Sequence, residues 1–216
     1  MTAKAEKTRA RIYETALRLF ADDGYEKTTM RKIAQEAKAS LGLAYRYFKR
    51  KDEIVLELYR QTAADFEARV ADLPPGTVAE RLRAALELKI ALCAPHREVF
   101  AAVIPTTLSP RSEAFALGSD AGDIRQRVAN AYARVIRGGT DVEGLPSVER
   151  FALMCFVGQL AVLFYWLHDA SPGQANTHKL VELAAGSLHL GLGVLMMPEV
   201  DEQLADLAGL LGPLFG

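Results

Sequence analysis

Hydrophobic residues recur along most of the chain with the spacing of one face of an α-helix. In the first such segment, residues 7–21, the apolar positions fall at i, i+4, i+7 and i+8: Ile12, Ala16, Leu19 and Phe20. This period is typical of an amphipathic helix, whereas a half-buried strand would alternate every second residue. No segment of the sequence alternates in that way. The pattern therefore predicts an all-α protein of about nine to ten helices.

Two short helices are predicted after the first. Gly24 ends the first helix, and Thr28 or Thr29 caps a second one of only a few turns. A three-residue turn then ends at Ser40, which caps a third short helix through Tyr47. Two short helices joined in this way make a helix-turn-helix, whose second helix can lie in the major groove of DNA. Alone, the pattern is a weak signal, because many helical proteins contain a short helix pair.

Longer helices account for the rest of the chain, and they are separated by breaks rich in proline and glycine such as LPPGT at residues 73–77. The predicted helices cover about residues 52–71, 78–93, 120–137, 147–168 and 177–197, with short pieces between Pro95 and Pro110 and an amphipathic tail helix near residues 201–211.

The charge of the chain is unevenly distributed. Half of the 216 residues are hydrophobic and a quarter are charged, the balance of a globular protein with a sizeable core. The formal net charge is −1, but residues 1–60 hold 14 Lys/Arg and 9 Asp/Glu, a net charge of +5, and residues 61–216 hold the other 12 and 18, a net charge of −6. A basic N-terminal region predicts a polyanionic partner for that region alone.

Cysteine usage and hydropathy indicate a cytoplasmic protein. Cys93 and Cys155 lie far apart within apolar stretches, which is not a disulfide framework and fits a reducing compartment. The N-terminus is polar and charged, so no signal peptide is expected. The apolar run at residues 151–167 is shorter than the roughly 20 residues of a membrane-spanning helix and contains Gln159. It predicts a helix buried inside protein, and no membrane association is expected.

The sequence contains no recognisable catalytic or metal-binding motif. Two cysteines and four histidines (His96, His168, His178 and His189) lack the spacing of metal ligands. No phosphate-cradling glycine loop and no nucleophile elbow is found. We therefore predict that the protein is not an enzyme and has neither a metal site nor a cofactor.

The surroundings of the helix-turn-helix carry a far more specific signal. The run TTMRKIAQEAKASLGLAYRYFKRKDEI, residues 28–54, closely resembles the DNA-binding region of the TetR family of bacterial repressors. The resemblance covers residues 7–58, and the length and the all-helical remainder agree with it. The matching features are the Gly24-Tyr25 step, the capping threonines, Ile33-Ala34, Ala37, Ser40, Gly42 and above all Tyr45-x-Tyr47-Phe48-x-x-Lys51-Asp52-Glu53.

This resemblance implies a helix-turn-helix DNA-binding domain at residues 1–51 and an effector-binding and dimerisation domain at residues 52–216. It further implies a homodimeric repressor that binds palindromic double-stranded operator DNA and is released by a small, mainly hydrophobic effector. The effector would tilt the fourth helix and change the distance between the two recognition helices. The alternative is a DNA-binding protein that is constitutive or regulated by a protein partner. Effector, operator, regulated genes and the choice between repression and activation stay open.

The resemblance also assigns DNA contacts. Tyr47 and Lys51 are implied to hold the phosphate backbone, and Arg46 to reach a base edge or a phosphate. Phe48 and Ala44 are implied to face inward and to fasten the recognition helix. The full set of implied DNA contacts is Thr28, Thr29, Ser40, Leu41, Gly42, Leu43, Tyr45, Arg46, Tyr47 and Lys51.

The sequence departs from the family pattern at three places. Lys38 stands where glycine is common, and a left-handed backbone there would cost about 1 kcal/mol. Leu41 and Leu43 stand where polar residues are usual, so we expect few polar base contacts and more reliance on Arg46 and on DNA shape. Arg50 replaces the Ser or Asn that often caps the fourth helix.

The rest of the chain is implied to form the effector pocket and the dimer surface. The candidate pocket residues are Leu86, Ile90, Phe100, Phe115, Tyr132, Phe151, Cys155, Gln159, Leu163 and Trp166. The candidate dimer residues are Leu183, Gly186, His189, Leu190, Gly193 and Val194 on the last long helix. Gln159 either contacts the effector or is satisfied across the dimer, and His189 is either an interface residue or a ligand contact.

Overall fold

The structure is a computed structural model that describes residues 3–107, 121–143, 145, 147–195 and 197–215. Along these residues the chain forms ten α-helices: α1 Ala3–Asp23, α2 Met30–Glu36, α3 Leu41–Tyr47, α4 Lys51–Arg69, α5 Val78–Cys93, α6 Arg97–Thr107, α7 Gly122–Arg137, α8 Val148–His168, α9 Ala175–Leu195 and α10 Pro198–Phe215. The described residues contain no β-strand. The all-α prediction is therefore confirmed.

The observed helix bounds differ from the predicted ones mainly at the two ends of the chain. The helix α1 begins at Ala3, four residues before the start of the predicted segment at residues 7–21. The tail helix α10 runs from Pro198 to Phe215 and is longer than the predicted segment at residues 201–211. A hydrophobic stripe shows where a helix packs, whereas the ends are set by caps and local hydrogen bonds.

The chain divides into two compact units, which we call the head (Met1–Gln61 with His96–Ala121) and the body (Thr62–Pro95 with Gly122–Gly216). This division falls within α4, and the domain boundary between residues 51 and 52 stays a prediction. The helix α6 belongs to the head because it packs on α1, and because the ring of Phe100 stacks on that of Tyr59 at 5.9 Å.

The core of the head is formed by the inner faces of α1 to α4. Gly24 ends α1 with a φ of +86°, a conformation that glycine adopts without strain. The following Tyr25 packs edge-on against Phe20, with ring centroids 5.0 Å apart. The largest side chains that are fully buried in the head are Phe20, Phe48, Ile12, Ile33 and Ile54.

The core of the body lies between α5, α7, α8 and the end of α4, with Tyr132 and Trp166 fully buried. Thr77 and Glu80 form a capping box at the start of α5. The turn after α7 approaches the start of α5 so closely that a Cβ added at Gly139 would lie 2.5 Å from Cγ2 of Val78. Glycine is therefore required at this position.

Among the described helices, α8 is long and apolar enough to cross a membrane by length and composition. It packs on α7 within the body, and one third of its most apolar window is buried in this chain. Phe164 and Tyr165 remain exposed. One helix of this kind is weak evidence for a membrane protein, because the core helix of a soluble protein passes the same test.

Candidate nucleic-acid interface

The helices α2 and α3 form the helix-turn-helix, and each begins at a side-chain cap. Thr29 is the N-cap of α2 and accepts a hydrogen bond from the backbone N–H of Lys32. Ser40 is the N-cap of α3 and accepts one from the backbone N–H of Leu43. These caps satisfy backbone donors that a helix of seven residues cannot pair internally. The two short helices therefore begin where the sequence predicted.

The inner face of α3 fixes the recognition helix to α1. Ala44 and Phe48 are buried, as the resemblance implied. The ring of Phe48 stacks on that of Tyr13 of α1, with centroids 6.4 Å apart. The guanidinium carbon of Arg9, also on α1, lies 4.9 Å from the centroid of the same Phe48 ring. Aromatic packing and a cation–π contact thus hold one side of α3 and leave the opposite side to solvent.

The outer face of α3 presents apolar, aromatic and basic groups together. Tyr45 is 47% exposed and Arg46 is exposed, whereas Tyr47 is half-buried. Leu41 and Gly42 are exposed at the start of the helix, and Leu43 is half-buried. Apolar groups at Leu41 and Leu43 can contact thymine methyls but cannot form hydrogen bonds with base edges.

The structure distinguishes between the two threonines at the start of α2. Thr28 is 1% exposed, and its hydroxyl donates towards the carbonyl oxygens of Gly24 at 2.9 Å and Leu19 at 3.2 Å. A buried side chain of this kind holds the turn after α1 and does not reach a phosphate. The structure therefore gives Thr28 a role in holding this turn, and of the two predicted phosphate contacts it favours the exposed Thr29.

Lys51 lies at the start of α4 and is tied to the turn that precedes α2. Its Nζ donates to the backbone oxygen of Tyr25 at 2.8 Å and lies 4.0 Å from the ring centroid of the same residue. The Tyr25 hydroxyl in turn donates to Oδ1 of Asp52 at 2.6 Å. Burial, and then the hydrogen bond to Asp52, raise the pKa of the Tyr25 phenol. An ammonium has three N–H donors, so the contact with Tyr25 positions Lys51 and leaves donors for a phosphate.

One of the departures from the family pattern has a visible structural consequence. Lys38 has a φ of +50°, so the backbone is left-handed at the position where the family commonly has glycine. At the start of α4, Oε2 of Glu53 accepts a hydrogen bond from the backbone N–H of Lys49 at 2.7 Å. A side chain of the first turn of α4 therefore fixes the segment that precedes the helix.

The predicted pocket residues do not all lie in one unit. Phe100 belongs to the head, where it packs on Tyr59, and Phe115 lies outside the described residues. The remaining members belong to the body. They are either buried, as Ile90, Tyr132, Phe151, Gln159 and Trp166 are, or half-buried, as Leu86, Cys155 and Leu163 are.

Gln159 has a partner within its own chain. It is 2% exposed, and its Oε1 accepts a hydrogen bond from the hydroxyl of Tyr132 at 3.0 Å. The buried amide oxygen is therefore satisfied without a dimer partner. The hydrogen bond also brings together two of the predicted pocket residues, one from α7 and one from α8.

Sequence reasoning missed a buried cation in the same unit. Lys89 of α5 is 6% exposed, and its Nζ lies 5.1 Å from the ring centroid of Phe66. Burial lowers the pKa of its ammonium. A signal was present in the sequence, because Lys89 falls four residues after Ala85 and four before Cys93, both on the apolar stripe of α5.

A cavity of about 490 Å³ lies between α5 and the start of α9, and none of the predicted pocket residues is among those that line it. Most of its lining residues are charged or polar, and Nδ1 of His178 lies 2.7 Å from Oε2 of Glu87 at its wall. The residues that line it are Arg83, Glu87, Gly173, Ala175, His178, Lys179 and Glu182. In the part of the chain that the structure describes, no three His, Cys, Asp or Glu side chains are grouped as metal ligands.

The candidate dimer residues on α9 are exposed. Leu190 is 86% exposed, and Leu183 and Val194 are more than half exposed. Gly186, His189 and Gly193 are exposed as well, and a Cβ added at either glycine would meet nothing within 4 Å in this chain. An apolar helix face with small residues and no cover of its own is typical of a surface that packs against another helix.

Comparisons with known proteins agree with this geometry. Residues 12–58 match the family model described as bacterial regulatory proteins of the TetR family. The chain is 29% identical over 136 residues to the HTH-type transcriptional regulator HbdR of Aromatoleum sp. (strain CIB). The aligned residues cover 62% of this chain and 59% of the relative. The chain thus spans less than two thirds of that relative's length.

Solved structures match over more of the chain. A bacterial regulatory protein in the TetR family from Rhodococcus RHA1 is 25% identical, with a TM-score of 0.59 and coverage of 85% of this chain and 96% of that one. The transcriptional regulator FadR from Bacillus subtilis, solved in complex with stearoyl-CoA, is 23% identical, with a TM-score of 0.63 and coverage of 81% and 96%. The second likeness concerns the fold alone.

Proposed function

The chain belongs to the TetR family of bacterial transcriptional regulators, and from that premise we propose that it is a cytoplasmic, homodimeric repressor of a palindromic operator. Like its relatives it is a regulator and not an enzyme. The observation that carries the proposal is the outer face of α3, where Tyr45, Arg46 and Tyr47 stand on a helix fastened from behind by Phe48.

The proposed contacts divide into positioning and reading. Tyr47, Lys51 and Thr29 bind phosphates on either side of the major groove and fix the register of α3. Arg46 reads a base edge, for which guanine is the usual partner of arginine. Leu41 and Leu43 contact thymine methyls, with Ser40, Gly42 and Tyr45 at the margin. Few polar base contacts are available, so DNA shape contributes to specificity.

The dimer is proposed to form through α8 and α9, whose exposed apolar residues have no cover in a single chain. Two recognition helices of a twofold dimer bind half-sites about 34–36 Å apart. Replacing Leu190 by aspartate is expected to shift the protein to monomers, because a carboxylate would be buried in the interface. Leu210→Asp on α10 is the matched control, since Leu210 is 76% exposed and lies outside the proposed surface. Analytical ultracentrifugation of both variants measures their oligomeric state. A Leu190→Asp variant that remains a dimer would contradict the proposed dimer surface.

The effector is proposed to be a small, mainly hydrophobic molecule bound in the body. The support is the apolar character of the predicted pocket residues there, together with the polar pair Tyr132 and Gln159. A regulator of the same fold was solved in complex with stearoyl-CoA, so this fold can bind an amphiphilic ligand. An effector that binds one conformation more tightly than the other would lower the affinity for DNA.

The decisive experiment is selection of genomic DNA fragments by the purified protein, followed by sequencing. A recurring palindrome is expected. Its half-site spacing tests the dimer, and the neighbouring genes indicate the effector class. Binding without any sequence preference would reduce the head to a non-specific DNA clamp, and the absence of binding would refute the proposal.

The salt dependence of operator binding tests the assignment of Lys51. The Lys51→Ala variant should weaken binding to every sequence and flatten the slope of log K against log salt by about one unit, because one phosphate contact is lost. Lys179→Ala is the control, since Lys179 is an exposed lysine of the body. An unchanged slope in the Lys51 variant would contradict the phosphate contact.

A further inference from the structure

The body buries a lysine for which the described residues supply no carboxylate partner. The Nζ of Lys89 faces the ring of Phe66, and the group that influences its charge is the thiol of Cys93, one turn further along α5. A buried ammonium loses its hydration, and a ring face and a thiol compensate only a small part of that loss. A buried ammonium lowers the stability of the folded body, so its presence suggests that the positive charge has a function.

The ring of Phe66 links Lys89 to uncharged polar groups of two other helices. Phe66 also packs against Tyr132, with ring centroids 5.3 Å apart, and the Tyr132 hydroxyl donates to Gln159. We call Phe66, Lys89, Tyr132 and Gln159 the buried polar cluster. Together they connect the end of α4 with α5, α7 and α8.

The Cys93 thiol, the Tyr132 phenol and the Cys155 thiol are neutral at neutral pH. Burial raises the pKa of the Cys93 thiol and of the Tyr132 phenol, and it raises the pKa of the Cys155 thiol on α8 to about 12. None of these groups therefore provides a negative charge for the lysine. A charged Lys89 therefore needs a counter-ion from outside the described residues of the body.

We propose that the effector is a small organic acid with an apolar body, and that its carboxylate binds Lys89 in the buried polar cluster. This inference rests on the proposed function, because it names the chemical class of the effector. A single ammonium matches one monoanionic group, whereas a polyphosphate would need several cations. The apolar surroundings strengthen the ion pair, because little water screens it.

The test uses the full-length protein and pairs of ligands that differ in charge alone. Straight-chain carboxylates of increasing length and phenylacetate are each compared with the primary amide of the same skeleton, and binding is measured by isothermal titration calorimetry. At least one acid is expected to bind about tenfold or more tightly than its amide, the gain of one charge-assisted contact. Acyl-coenzyme A esters of the same acids form a third arm.

The Lys89→Met variant removes the charge and keeps the length of the side chain. It should fold, since methionine is apolar and the position is buried, and it should bind the acid and the amide with equal affinity. Lys179→Met is the matched control, because it removes an exposed lysine of the same unit and should preserve the preference for the acid. Selective loss of the acid preference in Lys89→Met supports the proposal.

Three results would overturn it: acids that bind no better than their amides, an acid preference that survives in Lys89→Met, or binding of the coenzyme A esters without binding of the free acids. Operator binding is measured in parallel on the same samples. Operator binding that is released by amides as well as by acids would refute the anion site and leave the proposed function intact. The absence of operator binding would refute the proposed function. The calorimetric comparison of acids with amides would still test the anion site.

Discussion

The head and the body place their polar groups in opposite ways. In the head, Tyr45, Arg46 and Thr29 are exposed and are positioned by short-range contacts, such as the caps of two seven-residue helices. In the body, Lys89 and Gln159 are buried among apolar side chains of several helices. A surface that binds a polyanion in water uses many weakly held charges. A site that selects one small molecule gains selectivity from a few groups that are costly to bury.

The largest expected effect is a loss of stability that is confined to the head. Phe48→Ala removes the ring that fastens α3 to α1, and a buried phenylalanine contributes about 3–5 kcal/mol to the free energy of unfolding. Trp166 is the single tryptophan and lies in the body. Its fluorescence should therefore report an almost unchanged urea transition, while circular dichroism shows an early loss of the helices of the head.

The control for this change is Leu41→Ala, on the exposed side of the same helix. It should alter the free energy of unfolding by less than about 0.5 kcal/mol, as surface substitutions usually do. If Phe48→Ala moved the fluorescence transition as far as the dichroism transition, the head and the body would unfold as one cooperative unit, and the contrast between them would not extend to stability.

The second prediction concerns Lys89, where a substitution should raise stability and not lower it. Lys89→Met should raise the free energy of unfolding of the body by about 2 kcal/mol, because it replaces a buried charge without an acidic partner by an apolar side chain. The urea transition followed by Trp166 fluorescence measures this gain.

The gain should also depend on pH. The folded-state pKa of Lys89 lies below the ordinary value of 10.5. Between those two values the unfolded wild-type chain holds more protons than the folded one, so wild-type stability rises with pH in that window. The advantage of Lys89→Met should therefore shrink as the pH rises through the folded-state pKa towards 10.5. A gap of constant size, or a less stable variant, would show that the lysine is not buried as a cation.

The sequence predicts the head better than the body because the determinants of the head are local. Caps at Thr29 and Ser40, a glycine after α1 and a short apolar stripe lie within a few residues of the structure that they define. The burial of Thr28 was missed, since neighbouring threonines have the same cap propensity and only the contact with Leu19 distinguishes them. The left-handed backbone at Lys38 was anticipated from the departure from glycine.

In the body the determinants are long-range. A helical stripe shows that Leu86, Ile90 or Trp166 faces inward, but it does not show which helix it meets. Phe100 has the pattern of a pocket residue and packs in the head, because α6 pairs with α1, which lies far from it in the sequence. The hydrogen bond between Tyr132 and Gln159 joins residues from different helices and has no signature in either segment.

A smaller effect tests the two threonines against each other. Thr28→Val should cost about 1–2 kcal/mol of stability, because it removes the buried donor to Gly24, and operator affinity should fall only through that loss. Thr29→Ala should cost about 1 kcal/mol as a lost N-cap and should weaken operator binding further at equal folded fraction. Urea unfolding and operator titrations on both variants make the comparison. A larger affinity loss in Thr28→Val would reverse the assignment made from burial.

The smallest expected effect is a gain in stability at Lys38. Its left-handed backbone strains a residue with a Cβ by about 1 kcal/mol, and glycine removes that strain. Glycine also loses more conformational freedom on folding, so the net gain of Lys38→Gly should be about 0.5 kcal/mol. Lys38→Ala is the matched control, because it removes the same charge but keeps the Cβ. Both variants should lose operator affinity equally if the lysine acts through its charge, and only the glycine variant should gain stability in urea unfolding. Equal stability of the two variants would mean that the turn relaxes around the side chain, and that the fold of the head tolerates this departure from the family pattern without strain.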